Sequence, residues 1–86
     1  MSDIEIKKEK LVRRMGIRIV YDDARSRLDK AFNDRDGQRI IEINNSFNIF
    51  LLTILENKPV DQEMLELMNC LSLMLHDKAI EYLKSI

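Results

Sequence analysis

A chain of 86 residues has the length of one domain, and at that size folding buries only about 60% of the surface the unfolded chain exposes, so stability rests on every apolar face available, a partner's included. Hydrophobic residues at 45% and charged residues at 34%, with two Gly and one Pro, exclude a disordered tail, and the single Cys excludes an intrachain disulfide. The net charge of −1 conceals an uneven split: residues 1–39 carry 11 basic and 8 acidic side chains, and residues 40–86 carry 3 and 7, so the front of the chain is locally basic.

No apolar run approaches the roughly 18 residues of a membrane-spanning helix, and the opening MSDIEIKKEKL has no apolar stretch of signal-peptide length. A cytoplasmic protein is expected. Strong punctuation occurs at NDRDG (33–37) and ENKPVD (56–61), which divides the chain into three segments, each long enough for a helix of four turns or more. The expected fold is all-α: an antiparallel three-helix bundle preceded by an N-terminal amphipathic helical arm, in one domain spanning 1–86. The arm covers 1–15 and the bundle 17–86, with helices near 17–33, 37–57 and 61–84.

The first segment changes phase. Ile4, Leu11, Val12, Met15 and Ile19 share one arc of a helical wheel, while Ile17, Val20, Tyr21, Ala24, Leu28, Ala31 and Phe32 share an arc nearly opposite. Either the segment is wedged between two apolar surfaces, or the chain bends near Gly16, where helix formation costs about 1 kcal/mol relative to Ala. Ser2 and Glu5 have capping-box spacing, so the piece before Gly16 is read as a semi-independent arm. Lys7, Lys10, Arg13 and Arg14 lie on its face opposite Leu11 and Met15. A solvated face is the first reading of that cluster and a protein-docking arm the second. Nucleic acid or an anionic membrane surface comes last, because the pI is near 5.8, no reading motif is recognisable and no aromatic residue interleaves the charges.

The second segment contains FNIFLLTIL (47–55), apolar except at Asn48 and Thr53. Ile40, Ile43, Phe47, Phe50, Leu51, Ile54 and Leu55 form one helical stripe, which Ile41 and Leu52 widen to roughly 200°. Period-two alternation is missing, which excludes a strand. A helix this apolar is covered from two directions, and Ile49 still lies outside the stripe.

The third segment places Met64, Leu67, Met68, Leu71, Met74, Leu75, Ala79, Tyr82, Leu83 and Ile86 on one half of the wheel, with Asp61 as N-cap and Val60 and Leu65 at hydrophobic-staple spacing. The three methionines fill a core or line an adaptable groove. Ile49, Phe50, Met64, Met68, Leu73 and Met74 make up the candidate partner-binding set, with a homo-oligomer, a dimer by preference, as the expected assembly.

Groups that could carry chemistry do not converge. His76 and Cys70 point to different sides of one helix. In FNDRDG the first and twelfth positions of an EF-hand register fall on Phe32 and Ile43, which cannot ligate calcium through their side chains. Asp22 and Asp23 project about 100° apart. No phosphate-binding Gly-rich loop or G-x-S-x-G elbow occurs. No catalytic residue, cofactor or metal is assigned, and a non-enzyme is expected.

The stretch from Tyr21 to Leu83, with Leu28, Ala31 and Asp36 leading into Ile40, Ile41, Glu42 and Ile43, then a Pro-containing turn and a polar-apolar last helix, resembles the small helical export chaperones of the FliT type in bacterial flagellar secretion. That resemblance implies a substrate-specific chaperone that shields an apolar helix of a secreted subunit. Three-helix chorismate mutases are of similar size, but they need inward-facing cations that the apolar arcs of the second and third segments lack. The functional expectation is a non-catalytic protein-binding module, a small export chaperone or adaptor. The alternative is a regulator of transcription or of nucleic-acid processes acting through the basic arm.

Overall fold

The computed structural model describes residues 2–57 and 59–86, so Lys58, within the expected second break, lies outside the described residues. The chain forms an all-α three-helix bundle of α1 (Asp3–Asn33), α2 (Gly37–Asn57) and α3 (Gln62–Ser85), and each helix packs against the other two. Among the described residues, no helix is long and apolar enough to cross a membrane.

Local chemistry explains both ends of α1 and the starts of α2 and α3. Ser2 Oγ accepts from the Glu5 N–H at 3.3 Å, and Asp3 and Glu5 sit in the first turn, where negative charge suits the helix dipole. At the far end of α1, Arg35 adopts φ 55°. Its N–H donates to the Phe32 carbonyl at 3.0 Å, and the Asp36 N–H donates to the Ala31 carbonyl at 2.9 Å. This is a Schellman stop with an arginine in the position that glycine usually takes. Asp36 then caps the next helix, because its Oδ1 accepts from the Arg39 N–H at 3.1 Å. Asp61 does the same for α3, accepting from the Met64 N–H at 2.8 Å.

The expected boundary at Gly16 falls inside α1, which runs unbroken from Asp3 to Asn33. The phase change needs no bend. Ile17, Tyr21, Ala24, Leu28 and Ala31 bury against the bundle, while the earlier arc points away from it. A 31-residue helix is about 46 Å long, so α1 spans nearly all of the 51 Å long axis, and its first turns project past the start of α3. A Cβ at Gly16 would meet no atom within 4 Å. Gly16→Ala is therefore expected to stabilise the protein by about 0.5–1 kcal/mol, seen as a higher midpoint of thermal unfolding. A lower midpoint would mean that the position is needed as glycine.

Side-chain pairs set the register. Asn44 Nδ2 lies 3.5 Å from His76 Nδ1, and the Ser72 hydroxyl donates to Asn48 Oδ1 at 2.7 Å; the two pairs step in opposite senses along α2 and α3. Arg14 pairs with Glu63 and the Tyr82 hydroxyl donates to Asp29, so α1 and α3 run parallel. The largest fully buried side chains are Leu28, Ile40, Met68 and Leu75. Tyr21 meets Phe47 edge to face at 5.9 Å and 64°. The wide stripe of α2 is covered only in part: the two neighbouring helices take its middle, while Ile41, Leu52 and Leu55 stay exposed. Ile40, Phe47 and Leu51 are buried, Ile43 and Phe50 border the cleft against Val20 and Ala24 of α1, and Asn44 and Asn48 meet α3.

Candidate interaction surface

The basic face of α1 is built into the bundle. Lys10 Nζ lies 2.9 Å from Asp61 Oδ2, and Arg13 donates both to Glu9 at 2.8 Å and to the Pro59 carbonyl at 3.0 Å. Arg14 pairs with Glu63. The physical reason lies at the start of α3, whose positive dipole end favours the carboxylates of Asp61 and Glu63, and these in turn attract the cations of α1. Lys7 remains exposed, as does Lys8.

The Lys10 ammonium and the Met64 N–H hold the Asp61 carboxyl below the usual carboxylate range. Because the folded value is the lower one, this stabilisation is present above the unfolded carboxylate range and is lost as pH falls through the folded value. Asp61→Asn keeps a competent cap but neither titrates nor pairs. At neutral pH the wild type is expected to melt at a higher temperature than the variant, with the difference closing in acid; thermal unfolding across a pH series measures both curves. A difference that stays constant into strong acid would contradict this linkage.

The six residues of the expected partner-binding set do not form one patch. Met64 and Met68 are 4% and 2% exposed and belong to the core, because they share the inward arc of α3 with Leu71 and Leu75 and fill the space between three helices. In this conformation they cannot face a partner. Phe50 is half-buried at the α1–α2 cleft and stacks obliquely on Phe47, with centroids 6.2 Å apart. Ile49, Leu73 and Met74 are more than half exposed. At about 100° per residue Ile49 and Leu73 sit on the outward backs of two different helices, and Met74 lies roughly 100° away from Leu73.

A longer row of exposed apolar side chains runs along α1. Ile4, Leu11, Val12, Met15 and Ile19 are each more than half exposed and fall within an arc of roughly 100°. That arc lies opposite the side that buries Ile17 and Tyr21. The sequence contains the signal for it in the phase change of the first segment, which indicates a helix with two apolar sides. The bundle supplies a cover for one side only.

Two further groupings are structural. Tyr82 stacks on Phe32 with centroids 4.2 Å apart and donates to Asp29, which also accepts from Arg25 Nε at 3.3 Å. Donation to Asp29, with burial as a lesser cause, raises the Tyr82 phenol above its ordinary value. Cys70 is exposed. Among the described residues, no group of three or more His, Cys, Asp or Glu side chains is gathered to hold a metal ion.

Comparison with protein-family models, curated proteins and solved structures finds no match to this chain.

Proposed function

We propose that this protein is a non-catalytic protein-binding module whose contact surface is the outer face of α1, and that it acts as a small chaperone or adaptor by covering an apolar helix of another polypeptide. One observation carries the reading: five large aliphatic side chains form a single exposed stripe on a helix whose opposite side is anchored in the core. Stripes of this kind on a small domain mark interaction surfaces, because leaving them in water forfeits about 25 cal/mol for every Å² that burial would remove. A preformed helix also presents the stripe at less ordering cost than a disordered segment would.

The nucleic-acid reading draws on the same end of the chain, but Lys10, Arg13 and Arg14 already engage Asp61, Glu9, Pro59 and Glu63. A phosphate would have to compete with these partners.

Photo-crosslinking in the native host tests the proposal. A photoreactive residue at position 15 is expected to yield polypeptide adducts, and the same residue at position 49 few or none. Adducts with nucleic acid from position 8, together with none from position 15, would overturn it in favour of the regulator.

A further inference from the structure

We infer that the α1 stripe is self-complementary and that its occupant in the isolated protein is a second copy of this chain, packed antiparallel about a two-fold axis at Met15. The inference rests on the reading of α1 as the protein-binding face and adds the identity, orientation and register of the partner. The carrying observation is the charge pattern along the stripe. Lys8 and Asp22 lie in the same arc as Leu11, Met15 and Ile19, one at each end, and both are exposed. Neither enters an ion pair among the described residues.

Within one copy these two charges cannot meet, because fourteen residues of helix separate them by about 21 Å. A second copy running the other way brings them together. When two identical helices cross antiparallel with position 15 on the two-fold axis, each residue lies level with the partner residue whose number makes the pair sum to thirty. Lys8 then meets Asp22 of the other copy, Leu11 lies beside Ile19, and Met15 meets Met15. The same operation supplies each contact twice, as an isologous interface requires. A parallel pairing would set Lys8 against Lys8 and Asp22 against Asp22, which like-charge repulsion disfavours. The rest of each bundle lies behind the stripe, on the arc that buries Ile17 and Tyr21, so α2 and α3 do not obstruct the approach.

The size of the stripe sets the strength. Four aliphatic side chains, Leu11, Val12, Met15 and Ile19, offer roughly 250 Å² of apolar surface per copy, about 500 Å² for the pair and below the size of a stable interface, so the dimer is weak and reversible. A partner with a longer apolar helix would displace the second copy by mass action.

Sedimentation of the full chain and of charge variants tests the inference. The wild type is expected to move from monomer to dimer across micromolar concentrations. Lys8→Glu alone and Asp22→Lys alone should each raise the dissociation constant about tenfold, because each turns two attractive contacts into repulsive ones. Mixing the two single variants should restore the dimer, since the carboxylate introduced at position 8 of one copy then faces the ammonium introduced at position 22 of the other, and the unchanged Lys8 faces the unchanged Asp22. In a Cys70→Ser background, Met15→Cys should oxidise to a symmetric disulfide dimer, and Ile4→Cys should not. A mixture no tighter than its components, or a disulfide that forms at 4 and not at 15, would overturn the register and with it the inference. A wild type monomeric at hundreds of micromolar would overturn the second copy as occupant while leaving the α1 face open to a different polypeptide. A dimer unchanged by Met15→Asp would place self-association on another surface and overturn the inference, while leaving the α1 face open to a different polypeptide.

Discussion

Met68→Asp is expected to abolish the cooperative thermal transition, whereas Met74→Asp, six residues along the same helix, should leave a folded domain. Met68 is 2% exposed among Leu71, Leu75 and the facing side chains of α1 and α2, and Met74 is more than half exposed. An unpaired carboxylate at the buried position costs more than about 4 kcal/mol, either as desolvation or as the work of holding it protonated. A domain of this length has a total stability of roughly 4–13 kcal/mol at typical values per residue, so at the lower half of that range little or none would remain. At position 74 the carboxylate stays in water, and the change should fall within about 0.5–1 kcal/mol. Far-UV circular dichroism on heating separates the two outcomes. A Met68→Asp protein that melts like the wild type would return Met68 to the partner-facing set.

A chain lacking residues 1–14 is expected to fold and to lose self-association. Among the described residues the first buried side chain is Ile17, so the truncated protein keeps the buried core. It loses the Ser2 cap, the contacts of Lys10, Arg13 and Arg14 with the start of α3, and Ile4, Leu11 and Val12 from the stripe. Unfolding should remain cooperative with a midpoint several degrees lower, and sedimentation should report a monomer wherever the full chain is a dimer. Absence of helical circular dichroism would show that the first turns of α1 are required for folding.

The starts of α2 and α3, and the full extent of α2, were legible in the sequence because their signals are local. Asp36 and Asp61 are capping residues next to apolar periodicity, and the expected span 37–57 coincides with Gly37–Asn57. The continuity of α1 was not legible. A glycine penalty near 1 kcal/mol reads as a break in isolation, but it is small beside the packing of Ile17 and Tyr21 immediately after it. The ion pairs of the basic face were invisible for a different reason: Arg14 and Glu63 are 49 residues apart, and only the parallel docking of α1 on α3 brings them together. A helical wheel also cannot distinguish Met68 from Met74 when both fall on its apolar half. The distinction depends on which of the two faces the centre of three helices. The phase change from the arc of Leu11 and Met15 to the arc of Ile17 and Tyr21 is visible in the sequence, but there it fits a bend at Gly16 as well as one helix with two apolar arcs; the unbroken α1 decides for the second.

The turn between α1 and α2 also has a kinetic consequence. Ala31, Phe32, Asp36 and Arg39 complete the end of one helix and the start of the next within nine residues. The chain closure that brings Leu28 and Ala31 towards Ile40 therefore encloses a very short loop, for which the entropic barrier is small. An α1–α2 hairpin can accordingly form on the microsecond timescale of local helical contacts. The left-handed backbone of Arg35 lies inside that turn. Replacing it with glycine would be felt chiefly in the folding rate if the turn is made in the transition state, and in the unfolding rate if α3 must dock first.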